Sequence, residues 1–396
     1  MSLRILGSSN AYWARTGYGS QMRYLMPGLK RLGHEVAQVA WWGLQGGAVT
    51  MQGFNIYPRY RGIWGEDMLN GYAHHFKADV VLTLCDIWPL PPNFSMTFEV
   101  PWIAWFPVDR TPLGHRTLAR AREADYPVVY SKFALKETRE AGLACEYIPH
   151  GIDTTAFSPG DKAEARERLD WPADAYIATM VAANKGWPSR KAFCENMTAF
   201  KRFKDRHSEA WLYLHTQRTP QQREQGVMLE QLIEHLGIGD SVRFVNQVEQ
   251  VIGIDDESMA NIYRASDVLL AASRSEGFGL PIAEAQACGC PVITTKFSAM
   301  PELTVNGVST SPVQLAWTPQ SNYWAIPSTK AIHGAMERLY RRDDLTCKAD
   351  AERGVRFFQE NYDWDLVLDR YWKPFLEHVE EDLAKRASPV LTMVSG

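Results

Sequence analysis

The chain has 396 residues, 45% hydrophobic and 22% charged, with 42 Lys plus Arg against 46 Asp plus Glu for a net charge of −4. At about 150 residues per domain this length suits two to three domains, and the composition excludes a disordered, collagen-like or disulfide-miniprotein chain. The near balance of charge excludes whole-molecule attraction to phosphate backbones, although a local basic patch is compatible with it.

The opening MSLRILGSSN is too polar for a secretory leader and is expected to enter directly as a strand. Leu3 to Leu6 is an apolar run, followed by a small polar loop over 7–19. Met22, Leu25, Met26, Leu29 and Leu32 then recur as one face of a helix that stops at Gly33. Pro27 within that run predicts a kink or a late start. Val36 to Trp41, Val80 to Leu84, Trp102 to Phe106 and Pro127 to Tyr130 are the next strands. After a polar stretch, Ser158 to Asp174, a second cycle begins. Its strands are Tyr176 to Ala182, Ala210 to His215, Val242 to Val245, Val268 to Ala271 and Pro291 to Thr295. Its helices fall near Glu195 to Arg206, Gln222 to Leu236 and Met259 to Ala265. This alternation predicts an α/β chain of two doubly wound, Rossmann-like parallel-sheet domains facing a cleft, joined near residues 151–172. Ligands are then expected beyond the carboxyl ends of the strands, between the domains.

No window approaches the roughly 18 apolar residues of a membrane span, so no transmembrane segment is expected. The six cysteines, at 85, 145, 194, 288, 290 and 347, are too scattered for a disulfide framework. Cys288 and Cys290 form a lone C-x-C with no second pair and no His at ligand spacing, which predicts reduced thiols and no metal site. A soluble, cytoplasmic protein is expected.

The sharpest local signal is SRSEGFGLPIAEAQ, Ser273 to Gln286. It follows an apolar strand and opens a helix at Pro281, a favoured first-turn position. Gly277 and Gly279 let a backbone approach a ligand closely, and the exposed N–H groups of the first turn suit an anion. Glu276 lies before the helix and Glu284 in its first turn. Were all eight intervening steps helical, they would rise roughly 12 Å, the span of a nucleoside diphosphate with a sugar attached. Acidic residues near a helix's positive end are the plainer reading of the same spacing.

EGFGLPIAE, Glu276 to Glu284, resembles the E-x7-E motif of retaining glycosyltransferases of the GT-B fold, especially glycosyltransferase family 4, the group 1 glycosyl transferases. CGCPVITTKFSAMPEL (Cys288 to Leu303), IPHGIDTTAFSP (Ile148 to Pro159), NYDWDLVLDRYW (Asn361 to Trp372) and TGYGSQMRYLMPGLKRLGHEV (Thr16 to Val36) resemble further segments of that family, in the same order. The resemblance implies an acceptor-side domain over 1–155 and a nucleotide-sugar donor domain over 156–360. A C-terminal helix over 361–385 would cross back to the first domain, and 386–396 would be a tail. It implies that Glu276 lies by the donor sugar and reaction centre and that Glu284 bonds the ribose hydroxyls. Lys185, Arg190 and Lys191 would hold the diphosphate, and Gly277, Phe278, Gly279 and Leu280 would line the donor. Gly17 and Gly19 would meet the phosphates from the opposite domain. Fixed cations stabilise a leaving diphosphate without a metal, so no cofactor beyond the donor is expected.

Other segments depart from the family or read as structure. Trp102 to Asp109 has no His where many members carry one; Asp109 is a candidate for the sugar or acceptor contact, with a capping role as its alternative. His115 and His150 are the nearest histidines, and His150, in the interdomain segment, reads as packing. Ser298-Ala-Met300 replaces the family's small residues, and Glu302 keeps its place without an assignable contact. Asp363-Trp-Asp365 mimics a metal-binding D-x-D but sits where Asp caps a helix. Neither a G-x-G-x-x-G after the first strand nor a phosphate-binding G-x-x-x-x-G-K-[ST] occurs. Seven of the 14 tryptophans fall before residue 106, where a ring could stack on a sugar or nucleobase or pack in a core.

The implied activity is retaining, metal-independent transfer of a sugar from a UDP- or GDP-sugar to a hydroxyl acceptor. The acceptor stays open among a glycan, a protein, a lipid and a modified DNA base, and so does the oligomeric state. A nucleotide-sugar epimerase of the same fold and a non-catalytic nucleotide-sugar binding module are the alternatives.

Overall fold

The computed structural model describes residues 2–220 and 225–387. Two sheets organise it. The first contains β1 (Arg4–Asn10), β2 (Glu35–Trp42), β3 (Val49–Met51), β4 (Phe54–Pro58), β5 (Val80–Leu84), β6 (Trp102–Phe106), β7 (Tyr126–Val129) and β8 (Glu146–Tyr147). Their order is β3-β4-β2-β1-β5-β6-β7-β8, parallel except for the β3–β4 pair. The second contains β9 (Tyr176–Val181), β10 (Ala210–His215), β11 (Val242–Phe244), β12 (Val268–Ala271), β13 (Val292–Thr295) and β14 (Gly307–Thr310), in the order β11-β10-β9-β12-β13-β14. Its strands pair parallel throughout. Both orders reverse beside the first strand of each sheet, so each has a crevice at the carboxyl ends of its strands.

Every strand anticipated from the sequence is present, because buried parallel strands announce themselves as continuous apolar runs. The β3–β4 edge was not anticipated: β3 is mostly exposed and too short to show a pattern. An antiparallel hairpin, β15 (Gln314–Trp317) and β16 (Tyr323–Ile326), was also missed. The helix expected over Gln222 to Leu236 spans Leu229–Leu236, and residues 221–224 lie outside the described residues.

The first helix corrects the expected loop and excludes a late start at Pro27. It runs Gly17–Arg31, so it starts inside the expected loop and continues through Pro27. Thr16 caps it, its hydroxyl accepting the Gly19 N–H at 3.1 Å. Met22, Leu25, Met26 and Leu29 are fully buried. At about 1.5–3 kcal/mol for each buried side chain, that face outweighs the roughly 3 kcal/mol disfavour of an internal proline.

The chain returns to the first domain at its C-terminal end. Trp364–Val367, a π-helical turn over Leu368–Trp372 and the helix Lys373–Ala387 form one segment. Trp372 packs edge-on against Trp105 at 5.1 Å, Tyr126 Oη donates to Asp382 at 2.6 Å, and Arg386 pairs with Asp125 at 3.0 Å. Arg386 and Ala387 therefore belong to the helix rather than to the expected tail; residues 388–396 lie outside the described residues. No helix among the described residues is long and apolar enough to cross a membrane.

Candidate active site

The loop after β12 holds Glu276 and leads into the helix that carries Glu284. Gly279 ends the loop with φ of 111°, a left-handed conformation natural only to glycine, and caps the helix Leu280–Ala287. That helix starts one residue before Pro281, which puts Glu284 in its second turn rather than its first.

Glu276 is buried, 6% exposed, and its carboxylate is clamped by two cations from the loop after β9. Arg190 Nη1 donates to Oε2 at 2.8 Å and Lys191 Nζ to Oε1 at 2.6 Å. Its backbone N–H donates to Ser298 Oγ at 2.9 Å, so the small residue replacing the family pattern holds this loop in place. Burial resists ionisation of Glu276, but the fields of Arg190 and Lys191 prevail and hold its carboxyl down at about 2. Burial lowers Lys191 while Glu276 opposes that fall. Lys185 is exposed in the same loop, and its charge acts on Lys191 and on Asp86 across the cleft.

Glu284 sits in a different environment. Tyr263 Oη donates to it at 2.8 Å, yet burial dominates and, with Asp256 nearby, raises its carboxyl to about 7. Asp256 is itself held by Arg23 at 2.9 Å and by Tyr24 Oη at 2.6 Å, both from the first helix.

The first domain meets this loop directly. Asp109 Oδ2 accepts from Ser275 Oγ at 2.9 Å, which places Asp109 one residue from Glu276. A Cβ on Gly277 would stand 2.8 Å from Pro107 Cβ and 3.3 Å from the Tyr130 ring. The close approach expected of Gly277 is thus made to protein. Phe278 is buried against His150 at 5.3 Å and Tyr362 at 5.7 Å between centroids. Its side chain packs, so only its backbone is left to serve a donor. Gly17 faces Leu280: a Cβ there would lie 3.8 Å from Leu280 Cδ1, so the first turns of two helices oppose each other across the cleft. Gly19 belongs to that helical turn rather than to a loop; a Cβ on it would lie 2.2 Å from Ala14 O.

One residue absent from the sequence reading completes the cluster. Asp86 follows β5, accepts from Tyr18 Oη at 3.0 Å and is raised by burial and then by Asp109. Its position, a lone acid two residues after a buried strand, was the available signal. Glu302 gains a contact: its Oε2 accepts the Lys132 N–H at 2.9 Å, at the start of the first-domain helix Lys132–Glu140. His150 stacks on Tyr130 at 3.9 Å and burial lowers it well below its ordinary value, which fits packing. His115 lies exposed at the start of the helix His115–Ala121. Asp363 caps the helix Trp364–Val367 and accepts from Thr154. Trp102 and Trp105 are core residues, whereas Trp42 is 58% exposed. Among the described residues no group of three or more His, Cys, Asp or Glu side chains is placed to hold a metal.

Two sheets facing across this cluster define the GT-B architecture. Sucrose-phosphate synthase from Thermosynechococcus elongatus shares the fold with a TM-score of 0.78 at 19% identity, over 96% of this chain and 100% of that one. Anabaena Alr3699/HepE in complex with UDP and glucose matches with a TM-score of 0.68 at 15% identity, over 97% and 100%. Residues 178–341 match the family described as glycosyl transferases group 1, so the resemblance carried by the motifs stands over the second sheet. The D-inositol 3-phosphate glycosyltransferase of Geodermatophilus obscurus is 34% identical over 246 residues, 61% of this chain and 50% of that protein. That of Saccharomonospora viridis is 29% identical over 234 residues, 58% and 50%. The chain spans about half the length of these curated relatives.

Proposed function

We propose that this chain is a retaining glycosyltransferase that moves a sugar from a nucleotide-diphosphate sugar to an acceptor hydroxyl. The observation that carries the reading is the clamp of Arg190 and Lys191 on Glu276, at the opening of a helix and against Asp109 of the facing domain.

In this reading Arg190, Lys191 and Lys185 receive the diphosphate. Lys185 stands exposed in the same loop, open to an arriving dianion. The bond from the anomeric carbon to the β-phosphate oxygen breaks as the acceptor oxygen bonds that carbon on the same face. The acceptor proton passes to the β-phosphate, and the cations stabilise the charge that develops there. Glu276, ionised at every physiological pH, orients the cations and the transferred sugar and is no proton donor. Glu284 accepts from the ribose hydroxyls. The first domain, with Asp109, faces the acceptor.

Incubation with UDP-glucose, UDP-N-acetylglucosamine or GDP-mannose and a panel of saccharide acceptors, without divalent metal, tests this by NMR of the anomeric centre in the new glycoside and assay of the freed nucleotide. UDP donors come first because HepE was solved with UDP and glucose. The expected result is release of UDP or GDP with a product that keeps the donor's anomeric configuration. An inverted product would contradict retention. A changed sugar still on its nucleotide would favour an epimerase.

A further inference from the structure

Asp86 stands half-buried in the first domain's wall of the cleft, two residues after β5. Among the described residues Tyr18 is its hydrogen-bond donor, through Oη to Oδ2 at 3.0 Å, and Oδ1 is left to a ligand or to water. The positive charges that act on Asp86, those of Arg190 and Lys185, come from the loop after β9 on the facing domain.

Its neighbours fix where it faces. Asp109, whose charge acts on Asp86, accepts from Ser275, the residue before Glu276. Tyr130 feels the charge of Asp86, and its hydroxyl lies 3.3 Å from where a Cβ on Gly277 would stand. Asp86 therefore looks across at the stretch from Ser275 to Gly277 and at the cations assigned to the diphosphate. The transferred sugar is bonded directly to the β-phosphate. A carboxylate within the field of those cations, opposite Glu276, borders the sugar rather than the nucleoside.

The charges around this space select the kind of sugar. Lys185, Arg190, Lys191 and Arg110, which pairs with Asp109 at 3.6 Å, face Glu276, Asp86 and Asp109. A diphosphate dianion takes up the remaining positive charge. A sugar hydroxyl then gains a charge-assisted bond to Asp86, whereas a sugar carboxylate meets two like charges at close range.

We propose that Asp86 holds a hydroxyl of the transferred sugar and, with Asp109 beside it, restricts the donor to uncharged sugars against hexuronates. This deepens the glycosyl-transfer reading and rests on it for the place of the diphosphate.

Titration calorimetry of the full chain without acceptor tests the assignment on wild type, Asp86→Asn and Asp86→Ala. The probes are UDP, UDP-glucose, UDP-galactose and their two uronate counterparts, and GDP, GDP-mannose and GDP-mannuronate. On the nucleotide that binds, a hexose conjugate should bind about ten-fold tighter than its uronate, as for one hydrogen bond to a charged group. Both variants should shrink that ratio to about three-fold or less. Affinity for bare UDP or GDP should be the same in all three proteins, which also shows that each is folded. Equal affinity for hexose and uronate in the wild type, or an unchanged ratio in the variants, would overturn the role of Asp86 and leave the donor reading standing. Equal loss for the bare nucleotide and its conjugates would make Asp86 structural and overturn the role as well. Binding of no nucleotide by the wild type would remove the donor reading and the role of Asp86 with it.

Discussion

Glu276 and Glu284 are eight residues apart, and their surroundings drive them in opposite directions. Burial works against both charges, but Arg190 and Lys191 hold Glu276 at about 2, whereas Glu284, with Tyr263 as its hydrogen-bond donor and Asp256 nearby, rises to about 7. Glu276→Gln keeps the shape and removes the charge that aligns the clamp. Turnover should fall on the order of 100-fold, as for loss of one preorganised electrostatic partner, with nucleotide affinity changed far less; equal loss in both, read from kcat and a binding titration, would contradict its placement. Glu284 gives a pH signature. Its folded pKa is raised, so the native state holds the proton more tightly than the unfolded chain, and stability falls as pH rises from about 4.5 through about 7. Glu284→Gln should therefore melt higher than wild type at pH 8 and level with it at pH 4. Nucleotide affinity of the wild type should rise between pH 6 and 8, as the carboxylate becomes a double acceptor for ribose hydroxyls, and the substitution should flatten that rise.

At the scale of elements, the loop before Leu280–Ala287 is held from both sides. Ser298 accepts from Glu276 within the second domain, and Pro107 and Tyr130 press on Gly277 from the first. Gly277→Ala adds a methyl 2.8 Å from Pro107 Cβ. Proline is rigid, so the loop must move; a loss of about 1–3 kcal/mol is expected, seen as a lower melting temperature together with reduced transfer. The strands and this loop were legible because apolar runs and glycine spacing are local properties. The start of the first helix was not, because Thr16 and the close contact of Gly19 with Ala14 form only once the turn closes. Nor could spacing tell that Gly277 approaches protein or that Phe278 is packed between His150 and Tyr362. Asp86 was missed because nothing next to it in sequence shows that Tyr18 and Asp109 converge on it. The hairpin was missed because its partners, Thr111 and Arg274, are remote in the chain.

Across the whole molecule the two halves are joined at separate points around the cleft. Asp256 takes Arg15, Arg23 and Tyr24 from the first domain, Glu302 takes the start of the helix Lys132–Glu140, and the C-terminal segment returns to Trp105 and Tyr126. Asp256→Asn leaves two arginines without their carboxylate while the C-terminal segment still tethers the halves. Small-angle scattering should show a larger radius of gyration than wild type at low salt, and the difference should shrink as salt screens the wild-type pairs. The central claim, a nucleotide-diphosphate site built on Lys185, Arg190 and Lys191, is tested most directly by thermal shift with UDP, GDP, ADP and their common sugars on wild type and Lys191→Ala. A ligand at a hundred times its Kd stabilises the native state by about 2.7 kcal/mol. The account predicts a shift of a few degrees with one base, lost in Lys191→Ala; no shift with any nucleotide, or a shift of equal size in the variant, would contradict it.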